Sequence, residues 1–332
     1  MGGDHAPGRL VEGAVWAART EPVAVRLVGP AGDLARELAR HPGSDALALD
    51  VIDAVEVIEM GDAPVAALRR KRRASIRVAA EALARGEAEA MFSAGHTGAT
   101  LVAAHEWLGP LPGVDRPALA ATVPTVAGAA VLVDAGANVA CRPDHLVQFA
   151  VMGSVYASLA LGVASPRVGL LSTGEEESKG NDLTREAHRR LKSAPVRFLG
   201  NIEACDIYTG RVDVIVCDGF TGNVALKVSE GLVEAVEQLL REELSRTFPT
   251  RLGSLLSQRA FRRFRRRVDY SEYGGAPLLG VGGVCLVGHG RSTARAVRNA
   301  IALAARFARA GLGPRLAAAL SASGAAGVHT ST

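Results

Sequence analysis

Along this 332-residue chain, short aliphatic and β-branched runs alternate with longer stretches of helical period. The runs fall at 23–28, 51–58, 90–92, 129–133, 168–171, 196–199, 212–217 and 284–287, and they read as buried strands. Between them, apolar positions spaced three or four apart predict helices over 76–85, 144–161, 183–192, 224–244 and 293–310. A further helix is expected over 6–16, behind a glycine turn at the N-terminal edge. Strand, loop and helix repeated in this order argue for an α/β fold: a doubly wound, mainly parallel sheet with helices on both faces. The expected layout is a single α/β/α domain over 1–320, with a helical arm at about 240–268 and a disordered tail over 321–332 (SASGAAGVHTST).

Composition narrows this picture. Aromatic residues are only 4% of the chain while Ala, Val, Leu and Gly dominate, which suits helices packed closely on a sheet. No apolar run approaches the roughly 18–20 residues that cross a bilayer. The N-terminus lacks the basic-then-apolar order of a signal peptide, so a cytoplasmic protein is expected. The four cysteines, Cys141, Cys205, Cys217 and Cys285, form no CxxC or Cys/His zinc spacing and read as reduced structural thiols.

The net charge of +4 hides an asymmetry. Residues 251–267 hold seven arginines and no acid, and RRKRR at 69–73 adds five more positive charges. Setting both aside leaves the remainder at −8, an acidic body with two basic patches. Leu252, Leu255, Leu256, Phe261 and Phe264 have near-helical spacing, with the arginines of 259–267 elsewhere. That pattern fits an amphipathic helix on an anionic membrane surface, and equally a dimer-packing element or a solvated arm. No nucleic-acid-binding motif accompanies the arginines. The RRKRR run suits either steering of an acidic partner or a solvated helix face.

In open parallel sheets ligands bind where strands end and helices begin, and here those loops are rich in chemistry. After 90–92 come Ser93, Gly95, His96, Thr97 and Gly98, which fit an anion cradle or a capped tight turn. After 129–133 comes DAGAN, with Asn138. After 168–171 comes a turn with Gly174, Glu176, Lys179 and Asn181; Lys179 can reach a phosphate as a point charge, while Asn181 can cap the next helix. Asn201 and Glu203 follow 196–199. Asp218, Thr221, Gly222 and Asn223 follow 212–217, where Thr221 or Asn223 can cap the long helix and Asn223 can bond an anion at its positive end. His289 sits between glycines after the last strand, and Gly3, Asp4 and His5 form the N-terminal turn. Taken together, these loops are expected to build a single site at one edge of the sheet. There is no GxGxxG opening a helix with an acid about twenty residues on, no GxxxxGK[ST] and no GxSxG, so no nicotinamide cofactor, P-loop or hydrolase elbow is indicated.

Read together, MGGDHAP (1–7), SAGHTGA (93–99), DAGAN (134–138), GEEESKGN (174–181), GNIE (200–203), DGFTGNVALK (218–227), DYSEYGGAPLLG (269–280) and GHG (288–290) resemble the bacterial phosphate acyltransferases of phospholipid synthesis. The resemblance runs in order over nearly the whole chain. It implies transfer of a fatty acyl group from acyl-acyl carrier protein to inorganic phosphate, giving acyl phosphate, with no cofactor or metal. It also implies an isocitrate-dehydrogenase- and phosphotransacetylase-like fold, a homodimer, and peripheral membrane contact through the basic arm. By the same resemblance, Lys179 and Asn223 stabilise phosphate or oxyanion, Ser93, His96 and Thr97 line the phosphate cradle, and His5, His289 and Asp218 handle protons or orientation. The family pattern generally has Asn where this chain has His96, and Gly-Arg at Ala204-Cys205. It also carries an apolar strand ahead of MGGDHAP, so Met1 is expected to be an internal methionine of a longer protein.

Overall fold

Aliphatic runs become strands here where helices cover both of their faces. The structure is a computed structural model describing residues 2–268 and 273–324. In chain order it contains α1 (Gly8–Thr20), β1 (Val25–Gly29), α2 (Ala31–Leu38), β2 (Leu49–Asp53), α3 (Pro64–Arg70), α4 (Ser75–Ala84), β3 (Ala90–Ser93), α5 (Thr97–Ala103), β4 (Ala118–Thr125) and β5 (Gly128–Val133). There follow α6 (Pro143–Leu161), β6 (Arg167–Leu171), α7 (Asp182–Leu191), β7 (Arg197–Ile202), β8 (Val214–Val216) and the long α8 (Gly219–Ser245). The chain continues through α9 (Phe248–Leu256), α10 (Gln258–Val268), β9 (Ala276–Leu279), β10 (Val284–Val287), α11 (Ala294–Ala310) and α12 (Leu312–Ala322). The last helix runs two residues into the segment expected as a tail; residues 325–332, and 269–272 of the DYSEYGGAPLLG stretch, lie outside the described residues.

Eight strands form one sheet in the order β3-β10-β9-β4-β5-β8-β6-β7. β3 and β10 are parallel, as are β5, β8, β6 and β7. β9 and β4 pair antiparallel with each other and with their outer neighbours. Neither of these two strands stands out in the sequence, because ALAATVPT and APLL are built on alanine and proline, both poor strand formers. Burial overrides propensity: Ala118, Leu119, Ala120, Ala121, Val123, Leu278 and Leu279 are all buried.

The missed pair changes the geometry of the site. Three antiparallel pairings in succession reverse the direction of the sheet, so β3 and β10 point opposite to β5, β8, β6 and β7. The loops therefore do not leave from one common edge, as the sequence implies, but from strands running head to head. Register keeps them close along the strand axis. Met91, Cys285, Leu278 and Leu119 form one row across four strands, and Asp134, the residue after β5, bonds Leu119 in that same row.

On one face, α6 lays Phe149, Met152 and Tyr156 over Val131, Val133, Val168, Leu170, Val214 and Val216. Such buried side chains contribute roughly 1.5–3 kcal/mol each. The Tyr156 hydroxyl shares a 2.9 Å hydrogen bond with Thr122, and its ring meets Phe307 edge-on at 5.5 Å. The runs at 23–28 and 51–58 do not join the large sheet. β1 and β2 pair as a separate parallel ribbon, the second strand ending at Asp53. A cavity of about 570 Å³ stands between β1 and β3, lined by Val25, Leu27, Ile76, Ala90, Phe92 and Ile301.

Candidate active site

A buried carboxylate organises the centre. Asp134 is fully buried, and its Oδ1 accepts N–H bonds from Leu119 (3.0 Å), Gly136 (3.1 Å) and Ala137 (3.0 Å). Its Oδ2 accepts from the Asn138 backbone (2.7 Å) and from Asn138 Nδ2 (2.8 Å). Burial raises the proton affinity of this carboxyl, and the ring of N–H donors opposes that rise. The DAGAN turn is thus folded around its own first residue. Asn138, expected to bind substrate, spends its amide on Asp134 and on the Pro117 carbonyl (2.7 Å).

The start of α8 docks onto this turn through glycines. A methyl group on Gly219 would stand 2.8 Å from Asp134 Oδ2, and one on Gly222 would stand 1.9 Å from the Asp134 carbonyl oxygen. Asp218 caps the helix, with Oδ1 accepting from the Thr221 N–H (2.9 Å) and Oδ2 from the Thr221 hydroxyl (2.7 Å). Asp218 and Thr221 therefore hold each other, leaving Asn223, exposed in the second turn beside Gly136, with an amide uncommitted among the described residues.

A second group gathers the N-terminal turn with the loops after β3 and β10. Asp4 N–H donates to the Gly290 carbonyl (2.8 Å), and Gly3, at φ +95°, leaves a Cβ no room between the Ala94 and Gly290 carbonyls. Ser93 is buried, its hydroxyl accepting from Gly95 N–H (3.3 Å) and from the Thr100 hydroxyl (3.1 Å). His96 is the N-cap of α5: Nδ1 accepts from Ala99 N–H (3.4 Å), so Nε2 carries the proton and donates to the Asp62 carbonyl (3.2 Å). Both ring nitrogens are committed. Gly98 packs against Pro64 and the His96 ring, while the Thr97 hydroxyl makes no bond among the described residues. His5 is exposed and lines a shallow depression with Glu37 and His41, beside α2.

Apolar contacts and charge bridge the two groups. Leu101 of α5, Ala137 of DAGAN, Leu226 of α8 and Val287 of β10 pack together. Arg291 pairs with Glu234 of α8 at 3.2 Å. His289 Nδ1 accepts from Arg291 N–H (3.1 Å). Burial, followed by the Lys227 charge, pushes its pKa below the usual histidine value.

The third group is the GEEESKGN turn beside the end of β7. Gly174 is buried under Glu176 and Lys179, and Asn181 caps α7 by accepting from Thr184 N–H (2.9 Å). Of the three adjacent acids, Glu175 pairs with Arg211 and Glu177 with Lys192, and each cation holds its carboxyl below the usual range. Lys179 is exposed and, among the described residues, its ammonium has no ion pair or hydrogen bond. Asn201, read from sequence as a substrate ligand, is buried instead and faces His188, a residue the sequence reading passed over. A histidine amid the charges of REAHRRL carries no local signal of burial.

Three of the cysteines, Cys141, Cys217 and Cys285, offer no nucleophile near neutral pH. Burial lifts the Cys141 thiol to about 11 and Cys285 to about 12, and raises Cys217 as well. Among the described residues no group of three or more His, Cys, Asp or Glu side chains is placed to hold a metal ion.

Comparison with known proteins bears on the family and the fold. The family model described as "Fatty acid synthesis protein" matches residues 1–315. A phosphate acyltransferase of Geobacter sulfurreducens is 49% identical over 317 residues, covering 96% of this chain and 91% of its own. One from Acidobacterium capsulatum is 50% identical, covering 96% and 94%. Among solved structures, a phosphotransacetylase from Streptococcus pyogenes superposes with a TM-score of 0.63 at 16% identity, over 92% of each chain. A branched-chain phosphotransacylase from Enterococcus faecalis gives 0.54 at 15% identity, over 92% and 96%. At those identities the structural likeness speaks for the fold.

The glycine contacts around Asp134 yield a stability test. Gly222→Ala must push α8 off the DAGAN turn, and overpacking of this kind costs about 3 kcal/mol. Chemical denaturation should show the midpoint falling accordingly, whereas Gly231→Ala, which has open space around it, should leave it unchanged or raise it.

Proposed function

We propose that this chain, which belongs to the bacterial phosphate acyltransferase family, moves a fatty acyl group from acyl-acyl carrier protein to inorganic phosphate. Phosphate is itself the nucleophile. One of its oxygens forms a bond to the thioester carbonyl carbon, the carbon–sulfur bond breaks, and the thiolate leaves with the carrier and takes a proton from water. The enzyme need not form a covalent intermediate; its tasks are to hold a dianion beside the carbonyl and to stabilise the oxyanion that develops.

One observation carries this reading. Among loops whose polar groups mostly cap helices or bond one another, Lys179 and Asn223 are exposed donors with no partner among the described residues. Lys179 supplies charge and Asn223 an amide N–H, with the Thr97 hydroxyl as a further donor toward phosphate. His96, His5 and Asp218 are weaker participants in this scheme, since His96 and Asp218 are engaged as caps and His5 faces α2.

Residues 69–73, at and just beyond the end of α3, offer the acidic carrier a landing surface. Asp62 and Asp53 bond Lys71 and Arg73, but Arg69 and Arg72 remain exposed, and the same segment reaches the site through the Asp62–His96 bond. The reading of a homodimer is supported by α8, which buries only Gly219 and Gly222. Val224, Val228, Leu232, Val236 and Leu239 form an exposed apolar stripe along it, a face suited to a second copy. No helix among the described residues is long and apolar enough to cross a membrane. In the arm, Phe248 and Leu256 are each 79% exposed, with Leu252, Leu255 and Phe264 also outward and Phe261 half-buried. With Arg259 and Arg263 exposed beside them, the arm fits the surface of an anionic bilayer. The side chains of Arg262 and of the arginines at 265–267 lie outside the described residues.

Two measurements test this reading. Acyl phosphate trapped with hydroxylamine should appear with acyl-acyl carrier protein in preference to acyl-coenzyme A, and Lys179→Ala and Asn223→Ala should each lower its rate about a hundredfold while remaining folded. A folded variant that keeps its rate removes that residue from the mechanism. For the arm, sedimentation with vesicles containing phosphatidylglycerol should recover the native chain, and replacing Phe248, Leu255 and Leu256 with Ser should leave it in the supernatant; equal recovery would rule out this contact.

A further inference from the structure

The GEEESKGN turn is exposed, and yet the lysine it presents needs a fixed position if it is to meet the attacking phosphate. Ion pairs at Glu175 and Glu177 tether the flanks of the turn to surface cations, and Arg185 holds its far end through the Gly180 carbonyl (2.8 Å). The centre is held from inside. The Glu176 carbonyl oxygen accepts two donors: the backbone N–H of Lys179 (3.0 Å) and Nδ2 of Asn201 (2.9 Å). Asn201 is 3% exposed at the end of β7. Because its Nδ2 faces a carbonyl, its Oδ1 must be the atom turned to His188 Nδ1 at 2.8 Å, and His188 must carry a proton on Nδ1. His188 is equally buried in α7, fixed edge-on against Phe198 with ring centroids 5.1 Å apart. Its Nε2 is buried without a hydrogen bond, 3.5 Å from a Glu177 carboxylate oxygen.

We propose that Asn201 and His188 are positioning residues for Lys179. His188 orients the Asn201 amide, Asn201 fixes the Glu176 carbonyl, and that carbonyl fixes the backbone of Lys179. This rests on Lys179 acting on phosphate, as argued above. A lysine displaced by about 1 Å can cost two orders of magnitude in rate even where the fold is intact. The buried Asn and His are thus assigned to the reaction through geometry rather than through contact with substrate.

Non-additivity provides the test, read as the rate of acyl phosphate formation by Asn201→Ala, Lys179→Ala and the double variant. Asn201→Ala should lower kcat at least about tenfold with little change in KM for the acyl donor. The double variant should be no slower than Lys179→Ala alone, because the anchor then has no lysine to place. Losses that multiply would overturn the proposal. If Lys179→Ala keeps its rate, the role of Lys179 fails instead, and the two failures are told apart by that single variant. Should Asn201→Ala not fold, the same question is put to His188. His188→Asn keeps an N–H near the Nδ1 position and should retain most of the rate that His188→Ala loses; equal losses in two folded variants would also overturn the proposal.

Discussion

Removing a carboxylate from water is costly unless donors surround it, and the central architecture of this molecule follows from meeting that cost at Asp134. Five N–H bonds converge on it from the start of β4, from its own turn and from the Asn138 side chain. Those donors cannot reach it unless β4 and β5 are in register and the DAGAN turn is closed. Once closed, the turn presents a backbone surface that tolerates only glycine opposite, which draws Gly219 and Gly222 onto it. The entry of α8, and so the place of Asn223, is a consequence of satisfying one buried charge. DAGAN and DGFTGN belong together because neither has its shape without the other.

Much of the fold was legible because parallel strands buried on both faces are written as uninterrupted aliphatic runs. β3, β5, β6, β7, β8 and β10 lie where those runs predict, to within a few residues. β4 and β9 escaped because alanine and proline carry no strand signal of their own; their conformation is imposed by neighbours on either side. That omission reversed half the sheet, so the motif loops could be recognised while their relative directions could not. Within the loops, sequence marks polar residues at helix starts but does not separate a cap from a ligand, since both need a side-chain oxygen or nitrogen at the same place. Asn181, Asp218 and His96 proved to be caps. Asn201 and His188 were obscured for the opposite reason, as burial brings together residues thirteen apart in a way no local pattern announces.

Charge in the GEEESKGN turn follows a simple order. The outer glutamates are matched by Arg211 and Lys192, so much of the negative charge that would attract Lys179 is already engaged elsewhere. Glu176, whose carboxylate lies over Gly174 beside the Lys179 stem, is the remaining acid of the turn. The same economy holds at the α8 cap, where Asp218 is occupied by Thr221 and does not reach toward the neighbouring Asn223 amide. Repulsion of an incoming dianion by nearby carboxylates, a hazard in any acidic body, is reduced by pairing those carboxylates first.

Mechanically, α8 is a cantilever. Its 27 residues extend about 40 Å at 1.5 Å per residue, and its only buried positions are Gly219 and Gly222 at the root. The Arg291–Glu234 pair acts as a stay partway along, and the arm hangs from the free end. A tilt of about 5° at the root displaces a tip at that distance by roughly 3.5 Å. The Asn223 end and the distal helices are thus joined by the length of one helix, whose root is held against the turn of the buried carboxylate.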